Sequence, residues 1–187
     1  MSPLAYDPKA TEFSGMLLKV RAANPDRVHV HGLITDVPMV IAQMRQLGLQ
    51  QRVSSYSAGY NQKLIDQLVP AAEEFIVTSL APGVTDNPKV PEFLERWKKE
   101  QNRHPNGLPY IQYQYDSVLV AAALYKHVLE KKKQEPTGET MRAALLDIKT
   151  FDSPMTGKTV IDGHRVSKPV FLLTVEKGQF KPLAKLD

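Results

Sequence analysis

Cysteine is absent from this 187-residue chain. The chain therefore has no thiol nucleophile, disulfide framework, cysteine-ligated zinc or iron–sulfur cluster. Long apolar runs are missing as well, since Val118 to Leu124 is far shorter than the roughly 20 residues that cross a bilayer. The opening residues, Met1 to Pro8, have neither the basic nor the apolar region of a secretory signal. We expect the chain, if expressed as written, to be cytoplasmic.

Motifs for nucleic acids and nucleotides are also missing. The 24 basic and 20 acidic residues leave a net charge of +4, and bases alternate with acids, as in Glu95-Arg96. The basic run Lys131 to Lys133 follows a predicted helix, where cations complement the helix dipole. Neither G-x-G-x-x-G nor G-x-x-x-x-G-K-[ST] occurs. We predict no nucleic-acid partner and no cofactor.

Two further patterns could indicate a metal site or a catalytic serine, but neither is complete. His29 and His31 share one face of a predicted strand, but no third metal ligand is near in sequence, so we predict no metal site. Ser57 lies within Tyr56-Ser-Ala-Gly59, which lacks the G-x-S-x-G elbow of a serine nucleophile. We predict no catalytic residue and no enzyme activity.

The first part of the chain alternates between helical and extended patterns. Apolar residues at helical spacing predict three helices, and alternation or apolar runs predict three strands. The order α-β-α-β-α-β places the chain in the α/β class, with a parallel sheet covered by helices. The helices contain Phe13 to Val20, Val37 to Met44 and Leu64 to Leu68, and the strands contain Arg27 to Gly32, Val53 and Phe75 to Thr78.

The second part begins at a boundary around Leu80 to Gly83 and is mainly helical. A long helix, about Ile111 to Lys131, is apolar over much of its circumference and should need cover on more than one side. A shorter helix contains Met141, Leu145 and Leu146. Turns at Asp162-Gly163 and Lys177-Gly178 predict two hairpins, which should be the only strands after Thr78.

Motifs in this order resemble the back half of a leucine/isoleucine/valine-binding protein, a type I periplasmic substrate-binding protein of ABC importers. The resemblance covers about Thr11 to Phe180. It rests on Thr11-Glu-Phe-Ser14, Asn24-Pro-Asp26, the Gly32 loop, Arg45-Gln-Leu-Gly-Leu49, Ala72-Glu-Glu-Phe75, Tyr115-Asp-Ser-Val118, Gly157-Lys158 and Lys168-Pro-Val170.

The resemblance implies two α/β lobes that hold a ligand between them. Residues 1–80 with 170–187 would form the second lobe, nearly complete, and residues 81–169 the helical remainder of the first. The opening segment of the first lobe has no counterpart here, so we expect weak or absent ligand binding by this chain alone.

Four residues are implied as ligand contacts. Leu33 falls where the family often places an aromatic ring, and Ser57 falls where it places a carboxylate for the ligand ammonium. Because a neutral Ser57 would leave a buried ammonium unpaired, an aromatic or aliphatic carboxylate or another neutral or anionic molecule fits better than an α-amino acid. Tyr56 and Tyr60 would supply stacking and a hydroxyl.

The implied function is that of a non-catalytic solute-binding protein, periplasmic in the family, which delivers a small molecule to a membrane permease. Two alternatives stay open. The chain could be a truncated structural or interaction protein that self-associates through exposed first-lobe helices, or a cytoplasmic ligand-sensing regulator of the same fold.

Overall fold

The computed structural model describes residues 2–68, 71–81, 87–103, 105 and 109–186, without the side chains of residues 63 and 64. The helices of that part are α1 (Ser14–Ala23), α2 (Asp36–Gln46), α3 (Gln62–Leu68), α4 (Lys89–Gln101), α5 (Tyr110–Lys126) and α6 (Gly138–Ile148). Its strands are β1 (Arg27–His29), β2 (Arg52–Ser55), β3 (Ile76–Ser79), β4 (Thr150–Phe151), β5 (Thr159–Asp162), β6 (Arg165–Ser167), β7 (Val170–Glu176) and β8 (Gln179–Leu186).

The apolar stripes predicted for the first helices are buried, which confirms them. In α2 all four predicted core residues are at most 2% exposed, and in α3 Ile65 is fully buried. The predicted core position Leu64 lies outside the described side chains, and Pro82 and Gly83 of the predicted boundary lie outside the described residues. The buried residues of α1 and α2 are Leu17, Val20, Asp36, Val37, Val40, Ile41 and Met44.

Five strands form one sheet, in the order β1-β2-β3-β7-β8. The first three are parallel, with Val28 opposite Val53 and Ser54 opposite Ile76. This confirms the predicted parallel sheet. β1 ends at His29, earlier than the predicted Gly32, and β1 and β8 are the two edges of the sheet.

A second sheet was not predicted. β4, β5 and β6 pair antiparallel, with Thr150 opposite Val160. The prediction that the two hairpins hold the only strands after Thr78 is therefore wrong. A two-residue strand such as β4 is too short to show any alternation, and it is defined only by its partner.

Both predicted hairpin turns are present. Asp162 pairs with Arg165, so the loop between β5 and β6 is Gly163-His164, and Gly163 has a φ of 57°. In the turn between β7 and β8, Lys177 and Gly178 both have positive φ. In this second turn, positive φ at both central residues matches the twist of the flanking strands.

The chain divides into two compact units. Unit 1 is Met1–Ser79 with Leu172–Ala184, and unit 2 is Leu80–Phe171 with Lys185–Asp187. In unit 2, α5 continues as a π-helical segment, His127–Lys131. One face of this continuous helix packs into a core with α6 and the second sheet, formed by Leu124, Val128, Ala144, Phe151 and Ile161.

The opposite face of α5 is exposed. Val118 is 68% exposed and Tyr125 is 51% exposed, as expected for a helix whose apolar surface exceeds the cover that its own unit supplies. Across the described part of the chain, no helix has the length and apolarity needed to cross a membrane.

Two aspartates tie α5 and its continuation to the rest of unit 2. The buried Asp116 accepts hydrogen bonds from the Met155 backbone N–H at 3.1 Å and the Thr156 hydroxyl at 2.5 Å. The exposed Asp147 of α6 lies 2.9 Å from Lys132 Nζ and 3.0 Å from His127 Nε2. These partners, Lys132 first, lower the pKa of the Asp147 carboxyl.

Candidate functional site

The candidate site is the rim of unit 1 formed by the segments that follow β1 and β2. Because these strands are parallel, their carboxyl ends meet at one edge, where open α/β sheets generally bind ligands. The buried Ser55 hydroxyl donates to the Val30 carbonyl oxygen at 2.8 Å and joins the two segments. The loops of residues 30–35 and 56–61 therefore share a fixed base.

A buried carboxylate holds the first of these loops in shape. Asp36, the first residue of α2, is 3% exposed. Its Oδ2 accepts from the Leu33 backbone N–H at 3.0 Å and from the Tyr6 hydroxyl at 3.2 Å, and its Oδ1 accepts from the Thr35 hydroxyl at 2.9 Å. Asp36 thus connects the N-terminal segment, the loop and the start of α2.

Close packing at Gly32 reinforces this connection. A Cβ atom at Gly32 would come within 2.3 Å of the Tyr6 hydroxyl and 3.2 Å of the Asp36 Cβ. Only glycine leaves room for the tyrosine to reach the carboxylate. Burial, and secondly the Asp36 charge, raise the pKa of Tyr6, so its hydroxyl keeps the proton that it donates.

Aromatic rings line the same rim. The His31 and Tyr56 rings stack, with centroids 4.5 Å apart and planes at 18°. His29 lies two residues before His31, and its Nδ1 is 3.1 Å from the Ser54 hydroxyl oxygen. The His31–Tyr56 pair therefore presents a flat aromatic surface between the two loops, with an imidazole that can form hydrogen bonds.

The four residues predicted as ligand contacts occupy different environments. Leu33 is 55% exposed at the tip of its loop, and Tyr56 and Ser57 are half-buried at the start of the 3₁₀ turn Ser57–Gly59. Tyr60 is only 3% exposed, and its ring packs edge-on against Phe180 at 4.8 Å. The structure thus places Leu33, Tyr56 and Ser57 on the two loops of the rim, and it places the Tyr60 ring in the core of unit 1.

A groove of about 410 Å³ runs beside β1 and reaches the rim at His31. Its walls are the N-terminal segment around Leu4 and Tyr6, the apolar face of α1 with Met16, and the exposed side of β1. The volume falls in the range of small-molecule sites.

The two histidines do not form part of a larger ligand set. Their ring centroids are 6.3 Å apart. Throughout the described residues, no group of three or more histidine, aspartate or glutamate side chains is gathered closely enough to hold a metal ion. The chemistry that the rim offers is therefore stacking, apolar contact and hydrogen bonding.

Sequence reasoning missed the residues that shape the rim. No sequence motif includes Tyr6 or Asp36, and the pattern at His31 suggests only a metal ligand. The one available signal is Asp36 itself, because an acidic residue in the first turn of a helix interacts favourably with the helix dipole. The partner Tyr6 is 30 residues away, and no local pattern indicates such a contact.

The parallel strands and the rim at their carboxyl ends form an α/β fold of the kind that generally binds ligands at this edge. Comparisons with known proteins identify the family. A family model described as periplasmic binding protein matches residues 3–179. The chain belongs to this family of periplasmic binding proteins. No curated protein sequence gives a significant match.

Solved structures share the fold. A leucine-binding protein from Thermotoga maritima matches with a TM-score of 0.77 at 21% identity, over 96% of this chain and 49% of that one. A solute-binding protein of an ABC transporter from R. palustris, in complex with benzoate, gives 0.72 at 16% identity, over 95% and 47%. A fatty acid ABC transporter substrate-binding protein from Thermomonospora curvata gives 0.80 at 13% identity, over 96% and 48%. The chain thus spans about half the length of these structures.

Proposed function

We propose that this chain is part of a solute-binding protein of an ABC importer, non-catalytic and periplasmic, with a membrane permease as partner. In this proposal, residues 1–80 with 170–187 correspond to one lobe and residues 81–169 to part of the other. The limits of the two compact units support that division. The rim of unit 1, with Leu33, Tyr56 and Ser57, contacts the solute.

The burial and hydrogen bonding of the Asp36 carboxylate determine which class of solute the rim favours. An α-amino acid needs an ionised partner for its ammonium, and a buried ammonium without one costs a few kcal/mol. The carboxylate nearest Leu33 is that of Asp36, which is buried and already accepts three hydrogen bonds. Ser57 is neutral. The rim therefore favours an aromatic or aliphatic carboxylate over an α-amino acid.

The rim has features that fit such a molecule. Leu33 offers apolar contact, and the stacked His31–Tyr56 pair offers a flat surface for an aromatic ring. The imidazole and the Ser57 hydroxyl are hydrogen-bond donors for a carboxylate. One solved structure that shares the fold is in complex with benzoate, and another is a fatty acid ABC transporter substrate-binding protein. Both support carboxylates as the first ligands to test.

Binding is best followed by two-dimensional NMR of the ¹⁵N-labelled chain titrated separately with benzoate, octanoate and leucine. We expect weak binding of a carboxylate, with shifts centred on residues 31–36 and 55–60, and weaker or no binding of leucine. Leu33→Ala should weaken carboxylate binding about threefold through lost apolar contact. Leu18→Ala, at a leucine with similar exposure on α1, should leave it unchanged.

Three outcomes would contradict the proposal. If leucine bound more tightly than either carboxylate, the inference from Asp36 and Ser57 would be wrong. If a carboxylate bound but caused shifts only outside residues 31–36 and 55–60, or if the two leucine variants bound it alike, the rim would not be the solute contact. A Ser57→Asp variant provides a further check, because an added carboxylate should improve leucine binding and weaken benzoate binding.

A further inference from the structure

The two loops of the rim contain a single residue that can carry a positive charge. Residues 30–35 and 56–61 include no lysine and no arginine, and their one histidine is His31. Histidine is the side chain whose charge ordinarily changes between about pH 5 and 8. An anionic solute held by these loops therefore meets a cation of the loops only when the His31 imidazole is protonated.

The two histidines of this region differ in what their rings contact. The Nδ1 atom of His29 lies 3.1 Å from the Ser54 hydroxyl oxygen. The exposed ring of His31 makes no hydrogen bond and no ion pair with the described residues, and its ring neighbours are Tyr56 and His29. Both ring nitrogens of His31 are therefore available to a solute, whereas one nitrogen of His29 already has a protein partner.

Stacking on Tyr56 fixes the direction of the His31 ring. The two ring planes lie at 18° with their centroids 4.5 Å apart, so the phenol covers one face of the imidazole and leaves its edge accessible. An aromatic face also attracts a cation, so the stack can hold the imidazole in both of its charge states. A ring that is already oriented needs less ordering when a solute binds.

The buried charge beneath the first loop makes such a cation useful. The Asp36 carboxylate is 3% exposed and accepts from the Leu33 backbone N–H at 3.0 Å. Its other two donors, the hydroxyls of Tyr6 and Thr35, are neutral as well. Because like charges repel more strongly away from bulk water, this carboxylate disfavours an anionic solute at the rim unless a cation offsets it.

The titratable and charged groups around His31 come from each element beside it. They are Tyr6 from the N-terminal segment, Arg27 and His29 from β1, Asp36 from α2 and Tyr56 from the loop after β2. Arginine, aspartate and tyrosine side chains ordinarily keep one charge state between about pH 5.5 and 8. His29 is therefore the other group of this set whose charge can change in that range, and it provides the control.

We propose that His31 selects an anionic solute at the rim and that protonation of its imidazole tightens the binding, an inference that rests on the proposed function because it concerns the same two loops. A hydrogen bond from an ionised donor is roughly twice as strong as a neutral one. We therefore expect benzoate to bind about fivefold more tightly at about pH 5.5 than at about pH 8. The gain is present while the imidazole is protonated and is lost as the pH rises.

The experiment compares benzoate with benzamide, a neutral molecule of similar shape, by NMR titration of this chain at the two pH values. Benzamide should bind equally at both. His31→Gln keeps a hydrogen-bonding group that stays neutral, so it should bind benzoate at both pH values about as the unaltered chain does at pH 8. His29→Gln should keep the fivefold gain. Circular dichroism at both pH values verifies that each protein is folded.

The outcomes separate the role of His31 from the role of the rim. Equal affinity for benzoate at both pH values would overturn the proposal, as would a gain that survives in His31→Gln or disappears in His29→Gln. An equal gain for benzamide would also overturn it, since the pH would then act on the shape of the rim. So would a failure of benzoate to bind even at pH 5.5. None of these results bears on whether the rim contacts the solute, which the comparison of Leu33→Ala with Leu18→Ala tests separately.

Discussion

Replacement of Asp36 tests how the rim of unit 1 is held together. The Asp36 carboxylate accepts three hydrogen bonds, from Leu33, Tyr6 and Thr35. Asp36→Ala removes all three hydrogen bonds at once. Asp36→Asn keeps the shape, because its oxygen can accept from Leu33 and Tyr6 while its amide group donates to the Thr35 hydroxyl oxygen.

The two changes should differ in cost by a measurable amount. Each hydrogen bond contributes about 1 kcal/mol net, so Asp36→Ala should lower the free energy of unfolding by about 3 kcal/mol. Asp36→Asn loses the negative charge at the N-terminus of α2 and part of the strength of each bond, about 1 kcal/mol together. For a chain of this size these values correspond to about 6–12 °C and 2–4 °C in melting temperature.

Thermal unfolding followed by circular dichroism at pH 7 provides the measurement, with Asp26→Ala as the control at an exposed aspartate. Hydrogen exchange at the Leu33 backbone N–H should speed up in Asp36→Ala and change little in Asp36→Asn. If Asp36→Asn were as damaging as Asp36→Ala, or if neither exceeded the control, the carboxylate would not be the anchor of this loop.

The remaining predictions concern residues packed beside the rim. Tyr6→Phe should lower stability by about 1 kcal/mol at neutral pH by removing a hydrogen bond. The folded-state pKa of Tyr6 is raised above its ordinary value of 10.0, so its contribution is present below that pH and is lost as pH rises through the higher pKa. Urea unfolding of both proteins at pH 7 and well above pH 10 should show the difference shrinking, and a constant difference would count against the assignment. Gly59→Ala should destabilise by about 1–3 kcal/mol, because its Cβ would lie 2.9 Å from Cζ of the buried Phe75. Gly15→Ala in α1 meets no atom within 4 Å and should stabilise by about 0.5–1 kcal/mol, so equal effects in the two alanine variants would refute this reasoning.

The sequence predicts the elements whose periodicity is strong. The stripe of α2, Val37 to Met44, is buried as expected, and Gly48 ends that region with a φ of 76°. These features depend on residues within one or two turns of one another, so local spacing contains the information. The parallel pairing of β1 to β3 follows from the alternation of helices and strands.

Features fixed by distant partners are not predictable in this way. β4 is a strand only because Thr150 pairs with Val160. The contact between Tyr6 and Asp36 joins residues that the sheet topology brings together. The burial of Tyr60 depends on Phe180, which comes from β8. At the rim, the sequence indicates the correct loops, whereas the identity of the side chains that shape them comes from tertiary packing.

The edges of the five-stranded sheet bear on how this chain can polymerise. β1 is only three residues long and exposes Arg27 and His29, and β8 carries Lys181 and Pro182. Short length, positive charge and proline are the devices by which natural edges resist strand-by-strand growth. Neither edge of the sheet is therefore a good template for fibre formation.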